Sequence, residues 1–166
     1  TPRALPNNCL CNYQYMDLTK YPLTTSLDEE ELLSLWWYQP YTFSKDIVSG
    51  IAPMWFMKGI NQTIFRRSDS PSKFNKFQKF SNKAGSMYED WAQALCNLSN
   101  VNLEESSIFE LACNSGYLLY LLKEQGASHC VGIDQADLGR QRSILSTVTG
   151  VDDIDFRQGR WDSSSH

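Results

Sequence analysis

The chain of 166 residues reads as an α/β protein. Three observations lead there: from residue 107 onward short apolar runs alternate with stretches of helical period, the junction after the first run is built of small residues, and an acid closes the second run. Strands that alternate with helices pair in parallel through crossover connections. The expected division is an amino-terminal arm with a helical, aromatic-rich segment over residues 1–100, followed by the sheet over residues 101–166.

Taken in order, residues 1–25 carry Pro2, Pro6 and Pro22 without a sustained period and are expected to be an extended arm. Ser26 with Glu29 three positions later forms a capping box, the acids Asp28 to Glu31 suit a helix amino terminus, and Leu32, Leu35 and Trp36 make an apolar stripe. That helix should stop before Pro40. Residues 36–43 hold Trp36, Trp37, Tyr38, Tyr41 and Phe43, a density that asks for a core to enter. Ser70-Pro71 opens a short helix with Phe74, Phe77 and Phe80 on one stripe and Lys73, Lys76 and Lys79 each one step before them. A second capping box, Ser86 with Glu89, predicts a separate helix with Met87, Trp91, Ala94, Leu95 and Leu98 on one face. The remainder is expected as strand 107–113, helix 117–124, strand 130–133, helix 138–148 and strand 154–158.

Composition narrows the class. At 42% hydrophobic and 20% charged the chain is neither disordered nor low-complexity, and no run approaches the roughly 18 apolar residues of a membrane span. The formal net charge of −4 excludes a uniformly basic surface. Residues 58–83 nevertheless sum to +6, leaving −10 for the rest, so this segment is either a solvated basic face over the Phe stripe or a contact for phosphate or RNA. The cysteines number five, and Cys9 and Cys11 have no second pair or well-placed histidine to join, so neither a disulfide framework nor a zinc site is expected. A reducing, intracellular setting follows, cytoplasmic or organellar after removal of a leader. A first residue Thr1 is expected of a processed product or a fragment.

The chemistry-bearing residues cluster at the ends of the first two strands of the sheet. Glu110-Leu111-Ala112-Cys113-Asn114-Ser115-Gly116 spans a strand-to-helix junction where the small Ala112, Ser115 and Gly116 would let a ligand approach backbone N–H groups. Asp134 follows Gly116 by eighteen residues and ends the second strand, where an acid can accept both hydroxyls of a ribose. Asp162, beside Trp161, follows the third strand and could accept from an adenine amino group while Trp161 or Ile133 covers the ring. A dinucleotide would ask for G-x-G-x-x-G, which this loop lacks; S-adenosylmethionine carries no pyrophosphate, and an acid at Glu110 could meet its cationic amino-acid end. Cys113 has no neighbour that would activate its thiol.

Residues 107–162 resemble the first half of a class I S-adenosylmethionine-dependent methyltransferase. Glu110-Leu111-Ala112-Cys113-Asn114-Ser115-Gly116-Tyr117 is similar to that family's D/E-x-G-x-G-x-G loop, Val131-Gly132-Ile133-Asp134 to its second-strand acid, and Asp155-Phe156-Arg157-Gln158-Gly159 to its third strand. Trp37-Tyr38-Gln39-Pro40 and Met87-Tyr88-Glu89-Asp90-Trp91 are similar to the lead-in of a group that includes the enzymes carboxymethylating tRNA wobble uridine. The resemblance implies a Rossmann-like parallel sheet, S-adenosylmethionine as methyl donor, and cofactor contacts from Glu110, Ala112, Cys113, Asn114, Gly116, Asp134, Trp161 and Asp162. No catalytic base is identified. Ala112 and Asn114 stand where the family pattern has glycine. The family sheet has seven strands in the order 3-2-1-4-5-7-6, and only the first three are matched. A longer chain, a protein partner completing the sheet, or a relic with a structural role would each account for that. The acceptor is a small molecule or RNA; a non-catalytic assembly subunit and an RNA-modifying enzyme are the alternative functions.

Overall fold

The computed structural model describes residues 16–50, 63–98 and 100–160. Two 3-10 turns, Leu18–Lys20 and Pro22–Ser26, are followed by α1 (Glu29–Ser34), β1 (Thr42–Ser44), β2 (Ile47–Ser49), β3 (Ile64–Arg66) and α2 (Pro71–Cys96). Then come β4 (Ser107–Leu111), α3 (Tyr117–Glu124), β5 (His129–Asp134), α4 (Gly139–Thr149) and β6 (Ile154–Gln158). The strands form two three-stranded sheets, β1-β2-β3 antiparallel and β4-β5-β6 parallel with β5 central. The α/β arrangement expected after residue 107 is therefore present.

In the parallel sheet, Glu110, Gly132 and Phe156 lie in register on one face, and Phe109, Val131 and Asp155 on the other. The first face takes the helices. A Cβ on Gly132 would lie 2.7 Å from Cys113 Sγ and 2.8 Å from Leu119 Cδ1, so the missing side chain is what lets α3 sit close to β5. The Tyr120 ring of α3 lies 6.3 Å from that of Phe156, and the Arg142 guanidinium of α4 stacks over it at 4.5 Å. The opposite face leaves Phe109 52% and Leu111 48% exposed.

One apolar cluster runs from Met16, Leu18, Leu32, Trp37 and Tyr41 to Tyr117, Leu119, Leu121, Leu145 and Val148. A second joins Val48 and Phe65 of the antiparallel sheet to Phe74 and Phe77 of α2, with the Phe65 and Phe77 ring centroids 3.6 Å apart. The Phe stripe of α2 thus covers a sheet that the sequence did not announce. No helix among the described residues is long and apolar enough to cross a membrane.

Several local expectations are corrected. Residues 16–26 are packed, not an extended arm: Met16 and Leu18 are fully buried, and the Met16 N–H donates to Tyr117 Oη at 2.8 Å. Asp28, not Ser26, caps α1, its carboxylate accepting from the N–H groups of Glu30 and Glu31; Ser26 ends a 3-10 turn and donates to the Leu23 carbonyl. Trp37, Tyr41 and Phe43 enter the core as expected, but Trp36 is 54% exposed. Ser86 opens no helix. It lies inside the single 26-residue α2 and its hydroxyl donates to the carbonyls of Asn82 and Lys83. Met87 and Trp91 consequently face solvent, because Ser81, Ala84, Gly85 and Ala92 lie on the buried face of the same helix; Leu98, past its end, is exposed as well. Cys9, Cys11, Trp161 and Asp162 lie outside the described residues.

Candidate functional site

Residues 112–116 carry the chain from the tip of β4 into α3, and three of them adopt left-handed backbone: Ala112 (φ 56°), Asn114 (φ 52°) and Gly116 (φ 97°). Glycine would adopt this backbone at 112 and 114 without strain. Asn tolerates the conformation through its short polar side chain, whereas at Ala112 it costs on the order of 1 kcal/mol. At Gly116 an added Cβ would lie 2.5 Å from Phe156 Cζ. The neighbour that Gly116 admits is thus a ring of β6.

Strained turns persist only when their surroundings hold them, and this one is held from three sides. The Asn114 N–H donates to Asp134 Oδ2 at 2.8 Å. The Asn114 carbonyl accepts from Arg142 Nη2 at 2.6 Å and Nε at 3.1 Å. Beyond it, the Gln39 side-chain carbonyl accepts from Ser115 Oγ at 2.8 Å and from the Tyr117 N–H at 3.2 Å. The Tyr41 hydroxyl lies 2.7 Å from Ser115 Oγ.

An open cleft of about 530 Å³ lies at the carboxyl ends of the parallel strands, lined among others by Ala112, Asn114, Ile133, Asp134, Gln135 and Arg160. Its size is ordinary for a small-molecule site. Asp134 is 7% exposed, and its second oxygen accepts from the Ala136 N–H at 2.8 Å. Each carboxylate oxygen has one backbone donor and retains a lone pair for a further hydroxyl. Gly159 donates its N–H to the Asp134 carbonyl at 3.0 Å, and Arg160 Nε to Gln135 Oε1 at 3.2 Å, which closes the side of the cleft nearest β6. An apolar wall with one carboxylate and one guanidinium suits a flat ligand that carries hydroxyls.

Glu110 sits on the helix-covered face of β4, in register with Gly132. Its Oε2 is buried without a hydrogen-bond partner. Burial first, and the charge of Asp134 second, push its carboxyl up to about 7. A buried carboxylate oxygen with no donor is costly, so a cationic group brought close to it would be favoured. Cys113 is fully buried, and burial pushes its thiol up to about 11 despite the nearby Arg142, which leaves it no nucleophilic role at neutral pH.

Of the residues singled out in the sequence, Ala112, Asn114 and Asp134 therefore meet at one cleft. Glu110 lies on the helix-covered side of the sheet, Cys113 is buried in the loop, and Gly116 makes the turn into α3. Gln39, Gln135, Arg142 and Arg160 were not anticipated. Gln39 lies within the Trp37–Pro40 motif but 75 residues before Asn114, and Arg142 sits mid-helix, so nothing local assigned either of them a contact with the loop. No family model matches the chain, and no curated protein and no solved structure matches it.

Proposed function

We propose that the cleft at the tips of β4, β5 and β6 binds S-adenosylmethionine, and that the protein is the nucleoside-binding half of a methyltransferase. The observation that carries this reading is the placement of Asp134: a carboxylate with free lone pairs, on the wall of a cleft at parallel strand ends, bonded directly to a left-handed loop of small residues. The strand order, with α3 and α4 on one face, is what the first half of a Rossmann-like sheet would have. In this reading Asp134 accepts from the ribose hydroxyls, Ala112 and Asn114 bring backbone to the ligand, and the unpartnered Glu110 oxygen accepts from the ammonium of its amino-acid end. Trp161 and Asp162, directly after Arg160, are assigned to adenine by the resemblance alone. The ligand supplies a methyl group activated by its sulfonium; the chain's residues bind and orient it, which is most of what such a transfer needs. The methyl acceptor is a small molecule or RNA, as the sequence suggests.

Isothermal titration of the full chain with S-adenosylmethionine and S-adenosylhomocysteine tests the reading. Binding at about micromolar affinity is expected, and none for NAD, since the loop lacks the glycines a pyrophosphate requires. Heat-silent titrations with both sulfur ligands would remove the proposal.

A second reading, a subunit that works by assembly, is favoured by one feature: β4 pairs with β5 alone among the described strands, and Phe109 and Leu111 beside that edge are exposed. The assembly contact would be this edge and face, completed by further chain or by a partner. Phe74 and Phe77 of α2 cannot contribute, because both are buried. Lys73, Lys76, Lys79 and Lys83 are exposed, and none forms an ion pair with a described residue, so they belong to the part of the basic segment left for RNA. RNA binding that weakens with salt and is lost in Lys73→Gln/Lys76→Gln/Lys79→Gln would identify the acceptor class; binding indifferent to both would exclude that surface.

A further inference from the structure

Gln39 is where the amino-terminal region and the ligand loop converge. It is 1% exposed, and both polar atoms of its side chain are used. Its carbonyl oxygen accepts from Ser115 Oγ at 2.8 Å and the Tyr117 N–H at 3.2 Å, with Tyr41 Oη at 3.4 Å, and its amide nitrogen donates to Tyr88 Oη at 3.2 Å. Ser115 and Tyr117 flank the left-handed Gly116, so one side chain straddles the turn from both ends. The Tyr117 N–H is the first of α3 and has no carbonyl of its own helix to meet. Asp134 and Arg142 both hold the loop at Asn114. Gln39 takes its other end.

We propose that Gln39 is a positioning residue for the cleft: it fixes Ser115 and Tyr117, and through them the backbone at Ala112 and Asn114 that a nucleoside ligand would meet. The inference rests on the reading of the cleft given above. It makes residues 37–41 part of the binding apparatus, although none of them lines the cleft, and it makes affinity depend on a side chain that never touches ligand. The chemical requirement at position 39 is an acceptor able to take two donors at once. Glu meets it and Met, of similar volume, does not.

A matched substitution separates positioning from general stability. Gln141 is also buried and also joins the two regions, its amide donating to the Trp36 carbonyl at 2.8 Å, but that hydrogen bond goes to the amino-terminal region and not to residues 112–117. Gln39→Met and Gln141→Met are expected to lower the melting temperature by similar amounts. Only Gln39→Met is expected to raise the dissociation constant for S-adenosylhomocysteine, by about tenfold, the equivalent of one misplaced turn or lost buried hydrogen bond. Gln39→Glu should restore most of that affinity. Equal affinity losses in both Met variants, or none in Gln39→Met, would overturn the proposal. Amide hydrogen exchange gives a readout independent of ligand: Gln39→Met should speed exchange at Ser115 to Tyr117 and leave β1 and β2 unchanged. Faster loop exchange in a protein that ignores S-adenosylhomocysteine would sustain the pin and discard the methyltransferase reading; unchanged exchange would discard the pin.

Discussion

The two sheets of this molecule differ in every respect that matters for binding. β1, β2 and β3 are three residues each, antiparallel, and largely buried between α2 and the aromatic core. β4, β5 and β6 are longer and parallel, take helices on one face only, and end together in the cleft. Small polar side chains connect the two regions: Gln39 to Ser115 and Tyr117, Tyr41 to Ser115, Gln141 to Trp36. The difference teaches that the first sheet braces the second, whose strand tips form the cleft, and that part of this bracing is hydrogen bonds to one strained loop.

Three substitutions sharpen or break that division. The largest effect is expected from Trp37→Ala. Trp37 is fully buried, its ring nitrogen donates to the Leu32 carbonyl, and Tyr41 and Phe43 pack edge-on against it. A loss of about 3–5 kcal/mol is expected in urea unfolding. Because one apolar cluster spans both regions, the transition should stay single; a separate later transition for the parallel sheet would show that it stands without its brace. Next comes Glu110→Gln. The folded protein holds a proton on Glu110 up to about pH 7 that an unfolded carboxyl releases near its ordinary 4.5, so wild-type stability falls as pH rises through that window and is level above it. The variant lacks this fall. It should match wild type near pH 4.5 and exceed it at pH 8 by about 1–2 kcal/mol in thermal melts, a range reduced because the residue is only half-buried overall. On the proposed reading of the cleft, the same change should also weaken binding of S-adenosylmethionine. The smallest effect belongs to Ala112→Gly: relief of the left-handed strain offsets the added freedom of the unfolded chain, for a net gain of about 0.5 kcal/mol in urea midpoints.

The parallel sheet was legible because its signals are local. Tyr117–Glu124 and Ile154–Gln158 fall at their expected bounds, since each run is long enough to show its period and is bounded by turn residues. The antiparallel sheet was not legible. Three-residue strands are too short to display alternation, and their partners, such as Phe77 for Phe65, come from a distant helix. The Ser86–Glu89 pair misled for a different reason: a capping box marks a start only where the preceding residues are not already helical, and here α2 runs through it. Met87, Trp91 and Leu98 were grouped on one face by their spacing, which does not say whether that face meets the protein or solvent. The helix instead buries its small residues, which permit the closer approach. In the site, Ala112, Asn114 and Asp134 could be found because backbone demands at a strand-to-helix turn leave a residue-type signature. Gln39 was visible only as a member of the Trp37–Pro40 motif and Arg142 not at all; the contacts of both with the loop depend on a three-dimensional fit that spacing along the chain does not encode.

The Gly116–Phe156 contact bears on the order in which the molecule is completed. The ring occupies the space a side chain at 116 would fill, so the wall against which the loop turns is supplied forty residues later in the chain. A nascent polypeptide halted before position 156 would carry every loop residue and still lack the surface that shapes them. The shape of this loop is therefore acquired late in synthesis, when the last described strand docks.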